Sequence, residues 1–410
     1  MKTLYKSVLI LDPGSAHHGK KRDVILDGAK IVEIGSSLQL TRGNIVEAKQ
    51  MVLSHGWIDT YAHFRDPGEE VFEDLQSGRA AALAGGFKRV AIAPCTIPPM
   101  DHKSGIERLI HNNKTSTVEY IPLGTLSAGL KGEQLAEHYD MHTAGAKAFS
   151  DDKSNVSSGL MLRALDYVKG FDGLVMSFPH EPSLAPSGQV HEGITSVHMG
   201  VKGIPEVAEE MRLMRDIELL RYSQSRLHVT MISTSRSVEL IKKAKKEGLR
   251  ITCGVSPHHL MFTDQDCAGF DSVYKVMPPL RTKTHQKALI QGLKDGTIDV
   301  ICSDHRPWDS EHKTLEFEYA SEGMAGIQTT FQMVYAALQE HLPIAEIIAL
   351  FTTKPAALFG IDLAPLEPGS SAAVTIVSLA EDSEFNSDQW ASKSNFHPLY
   401  NQRLKGKIYA

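Results

Sequence analysis

A chain of 410 residues with 42% hydrophobic and 22% charged residues has the composition of a globular protein, not of a disordered or fibrous one. Its formal net charge of −6 is spread without long blocks of like charge, which argues against a nucleic-acid-binding protein. No apolar run approaches the roughly 18 residues of a membrane span, and the start (MKTLYKSVLILDPG) lacks the apolar core and cleavage site of a secretory signal.

The cysteines indicate a reducing compartment. They are scattered, they form no CxxC pair, and three of them lie in or beside apolar runs, which is typical of buried free thiols. The four are Cys95, Cys253, Cys267 and Cys302. We therefore expect a cytoplasmic protein.

The first 50 residues read as short strands separated by turns. Residues 4–50 contain the alternating segments SVLILDPG, DVILDGAKIVEIG and NIVEA. After residue 50 the pattern changes, and short apolar runs alternate with longer segments of helical periodicity. The predicted strands are 52–60, 89–94, 118–125, 145–150, 173–179, 226–233, 250–257 and 297–303, and the helical segments include 72–84, 105–112, 156–169, 205–223, 236–246 and 285–294.

Eight strand-and-helix units in about 300 residues predict a (β/α)8 TIM barrel of the α/β class. An open doubly wound sheet is less favoured, because no GxGxxG follows the first strand. The tail 366–379 (LEPGSSAAVTIVSL) again resembles short strands, whereas 380–400 is polar and poorly periodic and is interpreted as a loop. We therefore predict a barrel over residues 53–362 and one small β domain built from residues 1–52 and 363–410.

The end of the first barrel strand carries a family resemblance. Residues 56–68 (GWIDTYAHFRDPG) resemble the PGxxDxHxHxRxPG segment that opens the barrel of dihydroorotases. The segments FSDD, STSRSVELI, PHHL, PPLR and SDHRP then follow in the order of that family and extend the resemblance over nearly the whole chain. The resemblance implies an amidohydrolase of pyrimidine biosynthesis that interconverts carbamoyl aspartate and dihydroorotate.

Family members of this kind depend on one or two zinc ions, which supply hydroxide at neutral pH and polarise the carbonyl. The resemblance implies a set of histidine and carboxylate ligands at the barrel mouth, of which this chain keeps only part. The retained positions are His63, Asp152 and Asp304, and Asp304 is also the position of the catalytic base. The lost positions, where the family has histidine, are Tyr61, Phe178 and Met231.

The substrate-binding positions are also altered. Arg65, which in the family holds the substrate carboxylate, is retained, whereas Cys95 and Met277 stand at asparagine positions and Trp308 stands at a histidine position. His180 lies two residues beyond Phe178 and is an alternative ligand, since alternate residues of a strand face the same way.

These losses predict no two-metal centre, and either no cofactor or at most one zinc held by His63, Asp152 and Asp304. We expect Asp304 to be non-functional as a base. Apolar replacements can fill a former cavity, so we expect Tyr61, Phe178 and Met231 to meet at the mouth. Two loop side chains, Trp308 and Met277, are expected to cover them.

Three functions remain open. The favoured one is a non-catalytic dihydroorotase-like protein that forms a homo-oligomer, as a dimer, and acts as a structural or regulatory partner of aspartate transcarbamoylase, a role that the resemblance implies. The second is an active zinc-dependent amidohydrolase with a reduced metal site. The third is a small-molecule binder that keeps Arg65 as an anion anchor.

Overall fold

The computed structural model describes residues 1–114, 116–370 and 373–409. Its strands are β1 (Lys2–Leu11), β2 (Lys21–Asp27), β3 (Lys30–Gly35), β4 (Asn44–Val46), β5 (Met51–His55), β6 (Trp57–Ala62), β7 (Phe87–Ile92), β8 (Glu119–Gly124), β9 (Ala148–Phe149), β10 (Val175–Ser177), β11 (Val190–His191), β12 (Gly203–Ile204), β13 (Leu227–Val229), β14 (Ile251–Val255), β15 (Val300–Ile301), β16 (Val374–Glu384) and β17 (Arg403–Ile408). Its helices are α1 (Leu75–Ala84), α2 (Lys103–Asn113), α3 (His138–Ala144), α4 (Ser158–Lys169), α5 (Ile194–Met199), α6 (Glu206–Ser223), α7 (Ser235–Lys246), α8 (Pro257–Met261), α9 (Lys283–Lys294), α10 (Ser310–Lys313), α11 (Thr330–Leu338), α12 (Ile344–Ala349) and α13 (Thr353–Phe359). Short 3₁₀ turns lie at Ala128–Leu130, Pro182–Leu184, Asp264–Gly269, Ser272–Tyr274 and Ile327–Thr329.

Eight parallel strands form the central sheet in the order β15-β14-β13-β10-β9-β8-β7-β6. The sheet closes where β6 meets the chain that leaves β15: Ala62 and His305 form a parallel bridge, and the amide of His63 donates to the carbonyl oxygen of His305 at 2.8 Å. Helices follow the strands around the outside. The predicted (β/α)8 barrel is therefore confirmed.

The barrel strands could be found in the sequence because they are buried on both faces. All six residues of β6 are buried, so this strand appears as a nearly continuous buried run instead of an alternating one. The same holds for β14, which lies within the predicted segment 250–257.

The helices bury one face against this barrel. Helix α7 is capped by the hydroxyl of Thr234, buries Val238, Ile241 and Ala244, and carries three lysines in its last turn, where positive charge is stabilised by the helix dipole. Helix α6 has 18 residues with charged side chains along its length. In the described part of the chain, no helix is both long enough and apolar enough to cross a membrane.

A second sheet combines strands from both ends of the chain. Its order is β17-β16-β5-β1-β2-β3, with β4 beside β1. Strand β5 leads directly into the barrel, because only Gly56 separates it from β6. The predicted boundary between residues 52 and 53 thus falls inside β5. Residues 371 and 372, within the predicted tail segment 366–379, and residue 410 lie outside the described residues.

The predicted loop over residues 380–400 is wrong at its start. Strand β16 continues to Glu384 and pairs with β17 in an antiparallel ladder. The polar residues there face cross-strand cations: the guanidinium of Arg403 lies 2.8 Å from the Glu384 carboxylate, and Asp382 is opposite Lys405. Cross-strand charge pairs stabilise a sheet without any apolar alternation, which is why the sequence pattern gave no sign of this extension.

Candidate functional site

The mouth of the barrel brings the three retained ligand positions together. His63 follows β6, Asp152 follows β9 and Asp304 follows β15, all at the carboxyl ends of strands, where barrel enzymes place their active sites. Asp152 and Asp304 have left-handed backbone conformations, with φ of 50° and 46°, and so does Arg65, with φ of 56°. Such conformations cost about 1–3 kcal/mol each and cluster at functional sites, so the mouth keeps the backbone of a ligand-binding site.

His63 and Asp152 form a small group with a third residue, Cys95, which lies after β7. The Cys95 sulfur is 3.4 Å from Nδ1 of His63 and 3.7 Å from Oδ2 of Asp152. Nε2 of His63 lies 3.9 Å from the same Oδ2. One ligand atom from each of the three residues falls within 4.8 Å of the others, and Asp304 does not belong to this group.

A guanidinium occupies the centre of the mouth. Arg306 donates from one terminal nitrogen to Oδ2 of Asp152 at 3.0 Å and from the other to Oδ1 at 2.9 Å. Its Nε lies 3.9 Å from Oδ1 of Asp304. The side chains of Arg306 and Asp152 are only 10% and 9% exposed. The fork of the guanidinium therefore holds both oxygens of Asp152, the position at which the resemblance implies a carboxylate that bridges two metal ions.

The ion pair shifts the pKa values of both of its members. Burial alone would raise the pKa of Asp152, but the charge of Arg306 outweighs it and holds that pKa well below its ordinary value. Burial would likewise lower the pKa of Arg306, and the carboxylates of Asp152 and Asp304 raise it instead. The result is a permanent ion pair between Asp152 and Arg306.

The pKa values of His63, Asp304 and Cys95, which surround the ion pair, are shifted so that their uncharged forms are favoured. Burial, and then the charge of Arg306, lowers the pKa of His63 well below 6.5, so that its imidazole is uncharged. Burial raises the pKa of Asp304 to about 6, against the opposing effect of Arg306. Burial also raises the pKa of the Cys95 thiol.

The three lost ligand positions lie in one hydrophobic cluster. Tyr61, Phe178 and Met231 are 1%, 5% and 1% exposed and share a cluster that Met277 packs against. The Tyr61 hydroxyl is buried and has no hydrogen-bond partner among the described residues. The structure thus buries these three side chains in one cluster, and Met277 packs against that cluster.

Trp308 has a different position from the expected one. Its ring lies over the guanidinium of Arg65, with 3.9 Å from Cζ to the ring centroid, and it also packs against Phe72. Arg65 donates further to a Glu69 carboxylate oxygen at 2.8 Å and to the carbonyl oxygen of Pro307 at 3.1 Å. The residue predicted to bind a substrate carboxylate is therefore engaged by groups of its own chain and covered by an indole.

The loop after β15 also reaches across the mouth. Nζ of Lys153 donates to the Glu322 carboxylate at 2.9 Å and lies 5.8 Å from the centre of the Phe178 ring, and Nε1 of Trp308 donates to the Glu322 carbonyl oxygen at 3.0 Å. His180, the alternative ligand, lies beyond the end of β10, and its amide donates to the carbonyl oxygen of Phe178. The ligand groups found among the described residues do not include His180.

The residues of the mouth do not fit a two-zinc centre. Three of the six family positions offer a buried phenol, a phenyl ring and a thioether, and the bridging carboxylate is already paired in both oxygens. The sequence prediction missed Arg306, Glu322 and the ligand geometry of Cys95. A signal was available for one of them, since Arg306 stands at the alanine of the DHAPH segment to which SDHRP corresponds in the resemblance.

A second histidine group lies away from the mouth, formed by His191, Glu206 and His285. Nδ1 of His191 accepts a hydrogen bond from Arg281, and Nδ1 of His285 accepts one from the amide of Ser235. Each neutral ring therefore carries its hydrogen on Nε2, and that of His285 is donated to Glu206 at 3.0 Å. A protonated nitrogen is not a metal ligand, so this group is a hydrogen-bonded link between loops.

Comparisons with known proteins agree with the geometry of the barrel. Residues 50–237 match the family described as Dihydro-orotase-like, and residues 189–399 match the Amidohydrolase family. Solved structures that resemble the chain include an L-hydantoinase (dihydropyrimidinase) from Arthrobacter aurescens, with a TM-score of 0.81 and 22% identity, covering 99% of this chain and 93% of that one. A D-hydantoinase (dihydropyrimidinase) from Thermus sp. has a TM-score of 0.78 and 20% identity, with coverage of 99% and 93%. These likenesses show the fold.

Similar curated proteins extend over the whole length. The dihydroorotase of Acetivibrio thermocellus is 39% identical over 410 residues, which is 99% of this chain and 96% of that protein. The dihydroorotase of Pelotomaculum thermopropionicum is 38% identical over 413 residues, which is 100% of this chain and 96% of that protein. The chain belongs to the dihydroorotase family of amidohydrolases.

Proposed function

We propose that this chain is a non-catalytic member of its family and acts as a structural or regulatory partner in pyrimidine biosynthesis. The observation that carries the proposal is the pairing of Arg306 with both oxygens of Asp152. Arg306 thus pairs with the carboxylate, Asp152, that would bind metal in a catalytic member of the family. The mouth then has no source of hydroxide at neutral pH, and hydroxide supply is the main contribution of zinc in hydrolysis of this kind.

The surroundings of the ion pair support the same proposal. Glu69 and Pro307 already accept hydrogen bonds from Nη1 and Nε of Arg65, and the ring of Trp308 covers the guanidinium, so a substrate carboxylate could reach only the buried Nη2 without displacing them. Asp304, the family base, shares its surroundings with Arg306 and faces a mouth lined by buried apolar side chains. Preorganised polar groups aimed at the reacting atoms usually give the largest part of catalysis, and here those groups are turned towards one another.

The proposed partner is aspartate transcarbamoylase, and the proposed assembly includes a homodimer of this chain in the cytoplasm. The support is indirect: the barrel is intact while its chemical groups are altered. Exposed apolar side chains offer a surface for contact, since Ile194 and Val197 on α5 are each 77% exposed and lie one helical turn apart. Clustered apolar exposure is a feature of interaction sites.

A second candidate function is catalysis with one metal. The grouping of His63, Cys95 and Asp152 favours it, and so does the name dihydroorotase that the similar proteins carry. In that case Arg306 would have to release Asp152 when metal enters. The third function, small-molecule binding through Arg65, has the disadvantage that this guanidinium is already paired.

Metal content and turnover distinguish these functions. The purified chain should contain well under two zinc ions and should convert neither dihydroorotate nor carbamoyl aspartate, with or without added zinc or manganese. An Asp304→Asn variant provides the matched control, because it removes the family base. Turnover by the natural chain that disappears in this variant would refute the non-catalytic proposal and establish one-metal catalysis.

Assembly is tested separately. The chain should elute as a dimer at micromolar concentration, and it should retain aspartate transcarbamoylase from an extract of its own cells. Deletion of the chain should then disturb the assembly of that enzyme. A strict monomer that retains no transcarbamoylase would contradict the partner role while leaving the loss of catalysis untouched.

A further inference from the structure

In the mouth of the barrel, three side chains that could bind zinc lie beside Arg306, a cation of the chain itself. We propose that Arg306 is the resident cation of the mouth and that it closes a one-zinc site formed by His63, Cys95 and Asp152. Removal of the guanidinium should open this site to Zn²⁺. The inference rests on the proposed function, because it assumes that the natural chain does not use metal.

Two of the three distances between the ligand atoms match those of a zinc site. Bonds of about 2.3 Å to sulfur and about 2.0–2.1 Å to nitrogen and oxygen give tetrahedral edges of about 3.5 Å between nitrogen and sulfur and about 3.6 Å between sulfur and oxygen. The observed edges are 3.4 Å from His63 Nδ1 to the Cys95 sulfur and 3.7 Å from that sulfur to Asp152 Oδ2. The third distance is longer, since Nε2 of His63 lies 3.9 Å from Oδ2 of Asp152, and the imidazole has to shift before a single ring nitrogen completes the tetrahedral set.

The types of ligand select the metal. A thiolate, an imidazole and a carboxylate suit zinc, whereas magnesium and calcium prefer sets of oxygen atoms. Cys95 is a thiol in the closed site, and its proton passes to solvent when the zinc–sulfur bond forms. His63 contributes Nδ1, the ring nitrogen that lies 3.4 Å from the Cys95 sulfur.

Arg306 excludes zinc by geometry and by charge. Its two terminal nitrogens occupy both oxygens of Asp152 at 2.9–3.0 Å, so a metal bound to this carboxylate would displace at least one of them. The guanidinium keeps its charge at every accessible pH and would repel a divalent ion held a few ångströms away. When the guanidinium is removed, Asp304 adds a second carboxylate whose Oδ1 has no hydrogen-bond partner among the described residues.

This set differs from the one that the sequence predicts. The expected remnant was His63, Asp152 and Asp304, whereas the structure places the Cys95 sulfur beside His63 and Asp152. Cys95 stands at an asparagine position of the family, so it is not an inherited ligand. Its sulfur is also what makes the site detectable, because a thiolate bound to Co²⁺ gives a near-ultraviolet charge-transfer band.

The test compares the full-length natural chain with Arg306→Ala and Arg306→Gln in equilibrium dialysis against zinc chloride and a competing chelator. Both variants should bind about one zinc per chain, about 100-fold more tightly than the natural chain or better, and Co²⁺ should give the thiolate band. The double variant Arg306→Ala/Cys95→Ser should lose the band and return to weak binding. It is the matched control, since it changes one sulfur atom for oxygen.

Each outcome decides the inference. Folded Arg306 variants that bind no more zinc than the natural chain overturn it, although the chain could still be non-catalytic. Zinc bound at one per chain by the natural protein through Cys95 overturns this inference and counts against the proposed function as well. If the Arg306 variants fold only weakly, refolding in zinc and in magnesium replaces dialysis: zinc alone should restore the fold, and failure in both metals contradicts the inference.

Discussion

Removing one member of the ion pair between Arg306 and Asp152 should destabilise the protein more than removing both. Both side chains are at most 10% exposed and make three contacts of 2.9–3.0 Å. Breaking a buried pair by removing one partner costs about 3–5 kcal/mol, because the other charge stays buried and uncompensated. We expect this range for Asp152→Ala and for Arg306→Met, and a smaller loss for the double variant.

The two single variants should respond differently to pH. In Asp152→Ala the buried guanidinium cannot lose its charge, and among the described residues Asp304, at 3.9 Å, is the one other carboxylate within 4.0 Å of it. In Arg306→Met the two carboxylates can take up protons, and the pKa of Asp304 is already raised to about 6 by burial. Because the folded Arg306→Met variant binds more protons than its unfolded chain, its stability relative to the natural chain should improve as the pH falls from 8 to 5. Asp152→Ala should show no such improvement.

Urea unfolding of the four proteins at several pH values gives the coupling free energy from the double-mutant cycle. The control is the exposed pair between Arg236 and Glu239 on α7, whose side chains are 55% and 67% exposed. The coupling for that pair should be about 0.3–0.5 kcal/mol. Additive losses at Arg306 and Asp152, or a coupling no larger than that of the surface pair, would refute the idea that this guanidinium compensates a buried carboxylate.

Three further predictions test the fold around the mouth. Partial burial raises the pKa of Asp74, but Lys393 and the amide and hydroxyl of Ser77 in α1 lower it to about 2. The resulting stability, at most about 1 kcal/mol because solvent screens so exposed a pair, is present above pH 4, should be lost as the pH falls towards 2, and should be missing throughout in Asp74→Asn, as thermal melts against pH would detect. Glu209 accepts hydrogen bonds from two backbone amides and two hydroxyls. Glu209→Ala should therefore lower the free energy of unfolding by about 3 kcal/mol or more, as urea unfolding would measure. A methyl group on Gly254 would lie 2.5 Å from a backbone oxygen, so Gly254→Ala should lower the melting temperature. The control is Gly159→Ala in α4, where the methyl group meets nothing within 4 Å; this change should raise the free energy of unfolding by up to about 1 kcal/mol.

Most of the barrel could be predicted from the sequence because its signals are local. A strand buried on both faces is a continuous apolar run, and the helix predicted over 205–223 is α6 (Glu206–Ser223) almost to the residue. The extension of β16 to Glu384 gave no local signal, because it depends on charges of β17 that are some twenty residues away in the chain. The small ribbon of β11 and β12 is likewise too short, at two residues a strand, to produce a pattern.

The mouth could be predicted only in part, since the resemblance located positions and not their interactions. It placed His63, Asp152 and Asp304 at the ends of their strands, where the structure has them. It did not reveal that Arg306 reaches a carboxylate 154 positions earlier in the chain, nor that Trp308 covers Arg65. Such contacts depend on the direction in which long side chains leave a closed barrel, and residue spacing does not encode that direction.

Counting lost ligands also underestimates what a barrel must change when it gives up a metal. Three neutral imidazoles can be replaced by apolar side chains without any charge being left over. Asp152 and Asp304 cannot be treated in this way, because their left-handed backbone holds them at a buried mouth, and a buried carboxylate without a counter-charge costs several kcal/mol. If no metal neutralises such a carboxylate, either a cation must lie beside it or the carboxylate must take up a proton. Arginine is the side chain that combines permanent charge with a planar fork matched to a carboxylate, and Arg306 therefore gives the charge of Asp152 a counterpart that three apolar replacements could not give.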